Sequence, residues 1–314
     1  MARQRSRSGT PATNPTHIRP EPGPRPRSAY PESVDAVVVA GTHQNPRHLI
    51  RGRNKAFVAL NGRLLVHGVV EALLEARTVD RVFVVGPVEE LRRALAPLAG
   101  PRLRLVPQAG KLIANAWEGF RSSQRVLGGD LHANPDRPVL FLSADLPLIQ
   151  PEAVDDFVAR CAEADRRAAG GPGALLAGTA EEASLAPFYP RQDRPGIVRP
   201  YVELRSGRFR LANIYIARPL RMDNRQLLQE GFSHRKAKHW TNVLALAGAF
   251  FGKRGGWRGA WQVFTLWLAM RAARHPGRIY RALRRRNTEQ GIEAIGSLLL
   301  GGRLKLVVTP YGGL

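Results

Sequence analysis

Between residues 34 and 150 the chain alternates two hydrophobic periods, and this restricts it to few architectures. Val34–Ala40 (VDAVVVA) is a short β-branched run that ends at Gly41. It lacks the polar face of a half-exposed strand and reads as a strand buried on both sides. Leu64–Ala76 follows with Leu65, Val69, Leu73 and Ala76 at helical spacing. Asp80–Val85 (DRVFVV) is a second strand, closed by Gly86-Pro87. Val88–Leu98 reads as helix, with Glu89 and Glu90 in the first turn, where the helix dipole favours acids. Leu103–Val106 (strand), Leu112–Leu127 (helix), Arg137–Leu142 (strand) and Pro151–Ala168 (helix) continue the pattern, Pro151 suiting a first-turn position. Strands alternating with helices predict an α/β fold, a mostly parallel sheet with helices on its faces.

Past the Gly170–Gly173 turn the pattern loosens. Leu175–Tyr189, Arg199–Leu204 and Asn213–Ala217 each suggest a further strand, and 303–309 (RLKLVVT) a returning one. Residues 234–288 read as mostly helical, basic and rich in tryptophan. The expected organisation is a disordered basic tail (1–33), an α/β domain (34–233), a basic helical insert (234–302) and a last strand of the α/β domain (303–314). The tail is rich in Pro, Arg, Ser and Thr and poor in apolar side chains, so it cannot offset the entropy of ordering.

Charge divides along the same lines. The 314 residues hold 48 Lys+Arg and 25 Asp+Glu, a formal net charge of +23. Residues 1–33 contribute 6 Arg against 2 Glu, and residues 234–286 contribute 13 Lys+Arg and no acid. The α/β portion is left with a mild excess suited to anionic substrates. The single cysteine, Cys161, excludes a disulfide framework and a multi-cysteine zinc site. The tail lacks the apolar run of a secretory signal. The longest apolar runs, 242–251 and 260–270, fall short of the roughly 20 residues of a bilayer span. The expectation is a cytoplasmic protein, with the membrane surface as a second address.

Four stretches carry candidate chemistry. The first strand runs through Ala40, Gly41 and Thr42 into a loop bearing Arg47 and then Lys55. Glycine there lets backbone N–H groups approach an anion, and the two cations suit a polyphosphate. The loop holds neither G-x-G-x-x-G nor a Walker motif. Asp145 follows a buried strand, where α/β sheets bind ligands and where one carboxylate can hold Mg²⁺ on a phosphate; it also reads as a turn residue before Pro147. Gln108, Gly110 and Asn115 form a glycine turn ahead of a helix, either a base-reading loop or an ordinary helix start. Asn213 opens an apolar strand after the basic turn GRFR.

Taken in order, these stretches resemble the nucleotidyltransferase family with a GT-A-type fold, which includes MobA-like NTP transferases and sugar-phosphate nucleotidyltransferases. VVVAG through Lys55 is similar to the family's strand and glycine-rich loop ending in lysine, VLFLSADLPLI to its strand ending in Asp-x-Pro, and GRFRLANIYI to its Gly-Asn strand. The resemblance implies a GT-A/Rossmann-like three-layer fold and transfer of NMP from an NTP to a small phosphorylated acceptor, with release of pyrophosphate. It implies Asp145 as ligand of Mg²⁺ and Lys55 with Arg47 as catalytic cations. Ala40, Gly41, Thr42, Gln108, Gly110 and Asn115 would be the nucleotide seat, and Asn213 would face the acceptor. Thr42 stands where the family usually has a second glycine, and Ala212 where a glycine precedes the asparagine. The family's second metal-binding aspartate has no convincing counterpart up to Leu314, so the last strand either stops short of it or the site lacks it. Asp193, Glu203 and Asp223 are poor substitutes by position. Two alternatives stay open, a non-catalytic NTP-binding protein at the membrane and a nucleotide-sugar glycosyltransferase on the same fold.

Within the basic segment, Trp257, Trp261, Phe264 and Leu268 share one helical face, and a run of arginines follows. The aromatics either pack against the α/β core or, across 240–286, meet an anionic membrane. Specific nucleic-acid binding is not expected, because no RNA-binding motif accompanies the charge.

Overall fold

The computed structural model describes residues 30–41, 52–128, 130–193, 196, 201–224 and 256–314. The basic tail up to residue 29 and residues 225–255 lie outside the described residues.

The apolar run after Val34 forms β1 (Val34–Val39), and its two faces are both covered. Ala36 and Val38 point into one cluster, together with the apolar sides of α1 (Leu65–Glu75) and α4 (Pro151–Arg166). Val37 points into the other, with Phe120 of α3 (Leu112–Val126). The alternation is the strand period itself, and it makes the sheet the middle of three layers. Each fully buried valine of this kind contributes roughly 1.5–3 kcal/mol. Gly119 of α3 lets the helix lie close to the sheet, since a Cβ there would stand 2.3 Å from Val37 Cγ1.

β1 sits between β4 (Val79–Gly86) and β6 (Val139–Ser143), parallel to both. β5 (Leu103–Pro107) extends the sheet beyond β4, also parallel. On the other side β6 meets β9 (Arg208–Ala217) antiparallel, β9 meets β7 (Leu175–Glu181) antiparallel, and β10 (Leu304–Thr309) closes that edge parallel to β7. A two-residue strand, β8 (Val202–Glu203), pairs with the start of β9. The sheet is mixed and mostly parallel, and the order reverses direction at β1, between β4 and β6. Ligands of open α/β sheets bind beyond the carboxyl ends of strands at such a reversal.

Several elements depart from the sequence expectation. The helix expected over Val88–Leu98 stops as α2 (Val88–Ala94), and a 3₁₀ turn over Ala96–Leu98 replaces its last turn. Pro97 is the cause, since it cannot donate the backbone bond that would continue the helix. Leu175–Tyr189 is strand only as far as Glu181; α5 (Glu182–Leu185) and a 3₁₀ turn containing Pro187 follow. Arg199–Leu204 yields only the two residues of β8, whereas β9 is twice the length expected for Asn213–Ala217. The structure also holds a hairpin outside the expected elements: β2 (Ala59–Leu60) and β3 (Arg63–Leu64) join through Asn61-Gly62, both with positive φ. Asn-Gly is the pair that such a two-residue turn favours.

Between β9 and β10 lie α6 (Gly256–Ala272), α7 (Arg278–Arg286) and α8 (Glu289–Leu300). Thr288 caps α8 by accepting from the Gly291 N–H, and Gly301 ends it in the left-handed conformation. Asn287, fully buried, is the joint of these helices. Its side-chain oxygen accepts from Gln262 Nε2 and Thr265 Oγ1 of α6, and its backbone carbonyl accepts from Arg205 N beside β8.

Candidate active site

The reversal of strand order brings three stretches to one rim. β1 runs out into Ala40 and Gly41, and the chain returns at a 3₁₀ turn, Lys55–Phe57. Asn54 fixes this turn twice: its Oδ1 accepts from Ala56 N at 3.1 Å, capping the turn, and its Nδ2 donates to Ala40 O at 2.9 Å. Lys55 is thereby tied to the end of β1. Beyond β6, Asp145 points its Oδ2 at Lys55 Nζ, 3.5 Å away, although ninety residues separate the two. Ser143 Oγ donates to the other oxygen, Asp145 Oδ1. Both members of the Lys55–Asp145 pair remain open to solvent, at 41% and 29% of their side chains. A pair this exposed adds little to stability. It keeps a cation and an anion within reach of a ligand arriving from solution.

The third stretch is the turn before α3. Gly110 sits at φ 130°, a conformation that favours glycine. Asn115, buried in α3, braces the turn: Oδ1 accepts from Ala109 N at 2.7 Å and Gly110 N at 3.2 Å, and Nδ2 donates to Gly110 O at 3.1 Å. The Asn115 amide is thus used inside the protein, in holding the loop. It also accounts for Gly41. A Cβ at position 41 would stand 2.2 Å from Asn115 Nδ2 and 3.5 Å from Gln108 Oε1, so the missing side chain makes room for Asn115.

Asn213 stands near the same rim. Leu142 of β6 pairs with Ile214, so the residues of β9 before Ile214 run past the end of β6 toward Asp145. Against β7 the register jumps from Ala177↔Tyr215 to Thr179↔Leu211, so β9 bulges around Asn213. Bulges commonly re-aim side chains beside active sites. Gly178 lies opposite the bulge; a Cβ there would meet Ile214 O at 2.9 Å.

Of the ten residues singled out from sequence, eight are described; Thr42 and Arg47 lie outside the described residues. The structure adds Asn54 and Ser143, which hold Lys55 and Asp145 in place. Asparagine directly before the lysine was a legible cap signal. Ser143 carried no local signal. Among the described residues no three His, Cys, Asp or Glu side chains gather as a metal cage. Glu203 is engaged by Arg208 Nε at 3.1 Å and Tyr280 Oη at 2.8 Å.

A mostly parallel three-layer sheet of this kind is the nucleotidyltransferase arrangement of the Rossmann-like, GT-A type. The model of the MobA-like NTP transferase domain matches residues 36–196, just over half of the chain. The chain belongs to that family and is an enzyme of the nucleotidyltransferase class. Among solved structures it is similar to a hypothetical transferase from Thermus thermophilus, 23% identical, over 90% of this chain and 94% of that one, with TM-score 0.59; this likeness bears on fold alone. Two others align more loosely. One is CMP:2-keto-3-deoxy-manno-octonic acid synthetase complexed with CTP, 14% identical over 66% and 80% of the two chains, TM-score 0.39. The other is 4-diphosphocytidyl-2C-methyl-D-erythritol synthase from Anaerococcus prevotii, 10% identical over 90% and 89%, TM-score 0.42. At those scores the likeness carries no chemistry across. No curated protein matches the chain.

Proposed function

We propose that the rim transfers a nucleotidyl group from an NTP to a small phosphorylated acceptor, with release of pyrophosphate. The observation that carries this reading is the Lys55–Asp145 pair, 3.5 Å apart across the ends of β1 and β6 within a family built around NTP transfer. An acceptor phosphate oxygen attacks the α-phosphorus. The new P–O bond forms as the bond to the β-phosphate bridging oxygen breaks, and the electron pair leaves on pyrophosphate. Such a reaction needs positioning and charge neutralisation from the protein more than covalent participation. Lys55 Nζ, fixed through Asn54, would donate to the α-phosphate and to the departing oxygen. Arg47 would supply a second cation. The backbone at Ala40, Gly41 and Thr42 and the loop at Gln108–Gly110 would seat the nucleotide, with Asn115 keeping that loop closed. Asn213 would face the acceptor.

Asp145 fits a Mg²⁺ site of the kind shared with a substrate. Mg²⁺ commonly binds through one or two carboxylates plus substrate phosphates and waters. Asp145 is partly exposed, its Oδ1 oriented by Ser143 and its Oδ2 facing only a lysine that phosphate would attract away. Magnesium bound there would supply further neutralisation of the phosphate oxygens.

The test is pyrophosphate release across NTPs and phosphorylated sugars and polyols, with and without Mg²⁺. Lys55→Met and Asp145→Asn should each lower turnover by about 10²-fold or more, the scale of losing one group that stabilises developing charge. Hydrolysis of nucleotide sugars without any pyrophosphate would replace this reading with glycosyl transfer.

A further inference from the structure

The helices between β9 and β10 expose a surface that nucleotidyl transfer does not use. On α6 the residues turned inward are small or polar: Ala260, Thr265 and Ala269 are buried. Three of the large side chains stay exposed, while Val263, Leu266, Trp267 and Leu268 are half-buried. Trp261 is 47% exposed, Phe264 41% and Met270 38%. Their rings form a continuous row, with centroids 5.9 Å apart from Trp261 to Phe264 and 6.0 Å from Phe264 to Trp267. Of the aromatics that the sequence left either packed on the α/β core or free to meet a membrane, Trp261 and Phe264 are exposed. The neighbouring helix α7 carries an exposed aliphatic side chain, Ile279, at 72%.

The charge along these two helices has one sign. Residues 256–286 contain eight arginines and no acid. Arg271 stacks its guanidinium over Trp267, 5.3 Å from the ring centroid. Arg274, Arg278, Arg281, Arg285 and Arg286 are exposed. Arg284 alone turns inward among those of α7 with a fixed partner, donating Nε to Leu204 O at 2.6 Å.

We propose that the face formed by α6 and α7 docks on an anionic phospholipid surface. The aromatic and aliphatic side chains enter the headgroup boundary, and the arginines pair with lipid phosphates. Tryptophan rings and arginine stems suit that boundary, because each combines an apolar body with a polar end. Nucleic acid would exploit the same arginines and rings. Ile279 and Met270 favour lipid, since neither offers a flat face on which a base can stack. The helices lie on the surface and do not cross it: among the described residues no helix is long and apolar enough to span a membrane.

Flotation of the full-length chain with phosphatidylglycerol-containing vesicles, against pure phosphatidylcholine vesicles, tests the proposal. Binding to the anionic vesicles alone, weakening as salt rises and accompanied by a blue shift of tryptophan emission, is the expected result. Trp261→Ala with Phe264→Ala should weaken vesicle binding at least tenfold. Arg281→Gln with Arg285→Gln should weaken it and flatten the salt dependence. Because all four side chains are exposed, each double variant should keep the parent's circular dichroism and pyrophosphate release, which separates a docking loss from unfolding. Absence of flotation at low salt overturns the proposal. So does binding to single-stranded RNA that outcompetes the vesicles, or vesicle binding unaltered in both double variants.

Discussion

Replacing Gly41 with alanine tests the packing that closes the rim. Gly41 lacks the positive φ that would strain another residue, so alanine can adopt its backbone conformation. Its Cβ would nevertheless stand 2.2 Å from Asn115 Nδ2, where ordinary contact begins at 3.4 Å. Asn115 can yield only by turning its amide, and that amide makes three hydrogen bonds to the loop at residues 109–110. At about 0.5–1.5 kcal/mol net for each bond, the complete loss is roughly 1.5–4.5 kcal/mol. Asn115→Ala should cost this amount. Gly41→Ala should cost no more, because displacing the amide is all the clash requires.

In an Asn115→Ala background the obstructing atom is gone, and Gly41→Ala should then cost less than about 0.5 kcal/mol. The two sites should therefore couple by about 1–3 kcal/mol, as groups in direct contact do. Urea denaturation of the parent, both single variants and the double variant gives the cycle, followed through Trp117, which lies on the same helix 5.2 Å from Phe120. Additive losses would refute the reasoning. They would mean that Gly41 is needed for something other than Asn115, such as direct approach of a ligand to its backbone.

Lys55→Met should leave the unfolding free energy from urea curves within about 1 kcal/mol of the parent, because the pair it breaks is exposed, while turnover falls; measuring both on one preparation separates function from folding. Asp155 ties α4 to the turn after α1. Burial alone would raise its pKa, but hydrogen bonds from Thr78 Oγ1 (2.7 Å), Thr78 N (2.9 Å) and Arg77 outweigh burial and hold it below its usual 3.8. A depressed carboxylate stabilises the fold above its unfolded pKa, and that contribution is lost as pH falls through the folded value. Asp155→Ala should therefore cost about 1.5–3 kcal/mol near neutral pH, and the gap to the parent should narrow once pH drops below about 4, as read from denaturation curves across pH. Cys161 is fully buried, and burial pushes its thiol pKa well up, so aromatic disulfide reagents should modify it only at the rate of unfolding. Rapid labelling of the native protein would contradict that burial.

What was legible in the sequence is what local pattern alone decides. β1 and β4 announce themselves because strands covered on both faces need mostly apolar residues, and Asp145 stands out because it is a charge placed just past such a run. Pro97 and Pro187 shortened elements in ways that pattern also foretells, once the missing N–H is counted. What escaped depends on partners distant in sequence. Ser143 matters because Asp145 folds back beside it. Gly41 read as an anion cradle, yet its neighbour is Asn115, seventy-four positions on. The bulge around Asn213 arises from the pairing of β9 with β7, which no stretch of β9 specifies by itself. For α6 the period was readable but its orientation was not. A helix with aromatics on one side and small residues on the other can bury either, and Ala260, Thr265 and Ala269 are the side that meets the protein.

That choice of face bears on how so basic a segment is carried. Eight arginines without an acid repel one another, and at physiological salt the repulsion reaches over roughly 8 Å. The lobe is fastened mostly by groups whose strength does not depend on net charge: the buried Asn287 amide, the bond from Arg205 N to Asn287 O, and the Leu204 carbonyl that takes Arg284 Nε. Two carboxylates moor it at the same place: Glu203, buried and shared between Tyr280 and Arg208, and Glu289 of α8, which accepts from Ser206 Oγ. These fastenings lie at β8, which pairs with Arg208 and Phe209, the part of β9 that runs past β6 on the rim side. The basic lobe and the rim that bears Lys55 and Asp145 thus meet the sheet at the same end. A surface that attracts the arginines would draw that end of the sheet toward itself, while the Lys55–Asp145 pair depends on neither the lobe's charge nor its aromatic row.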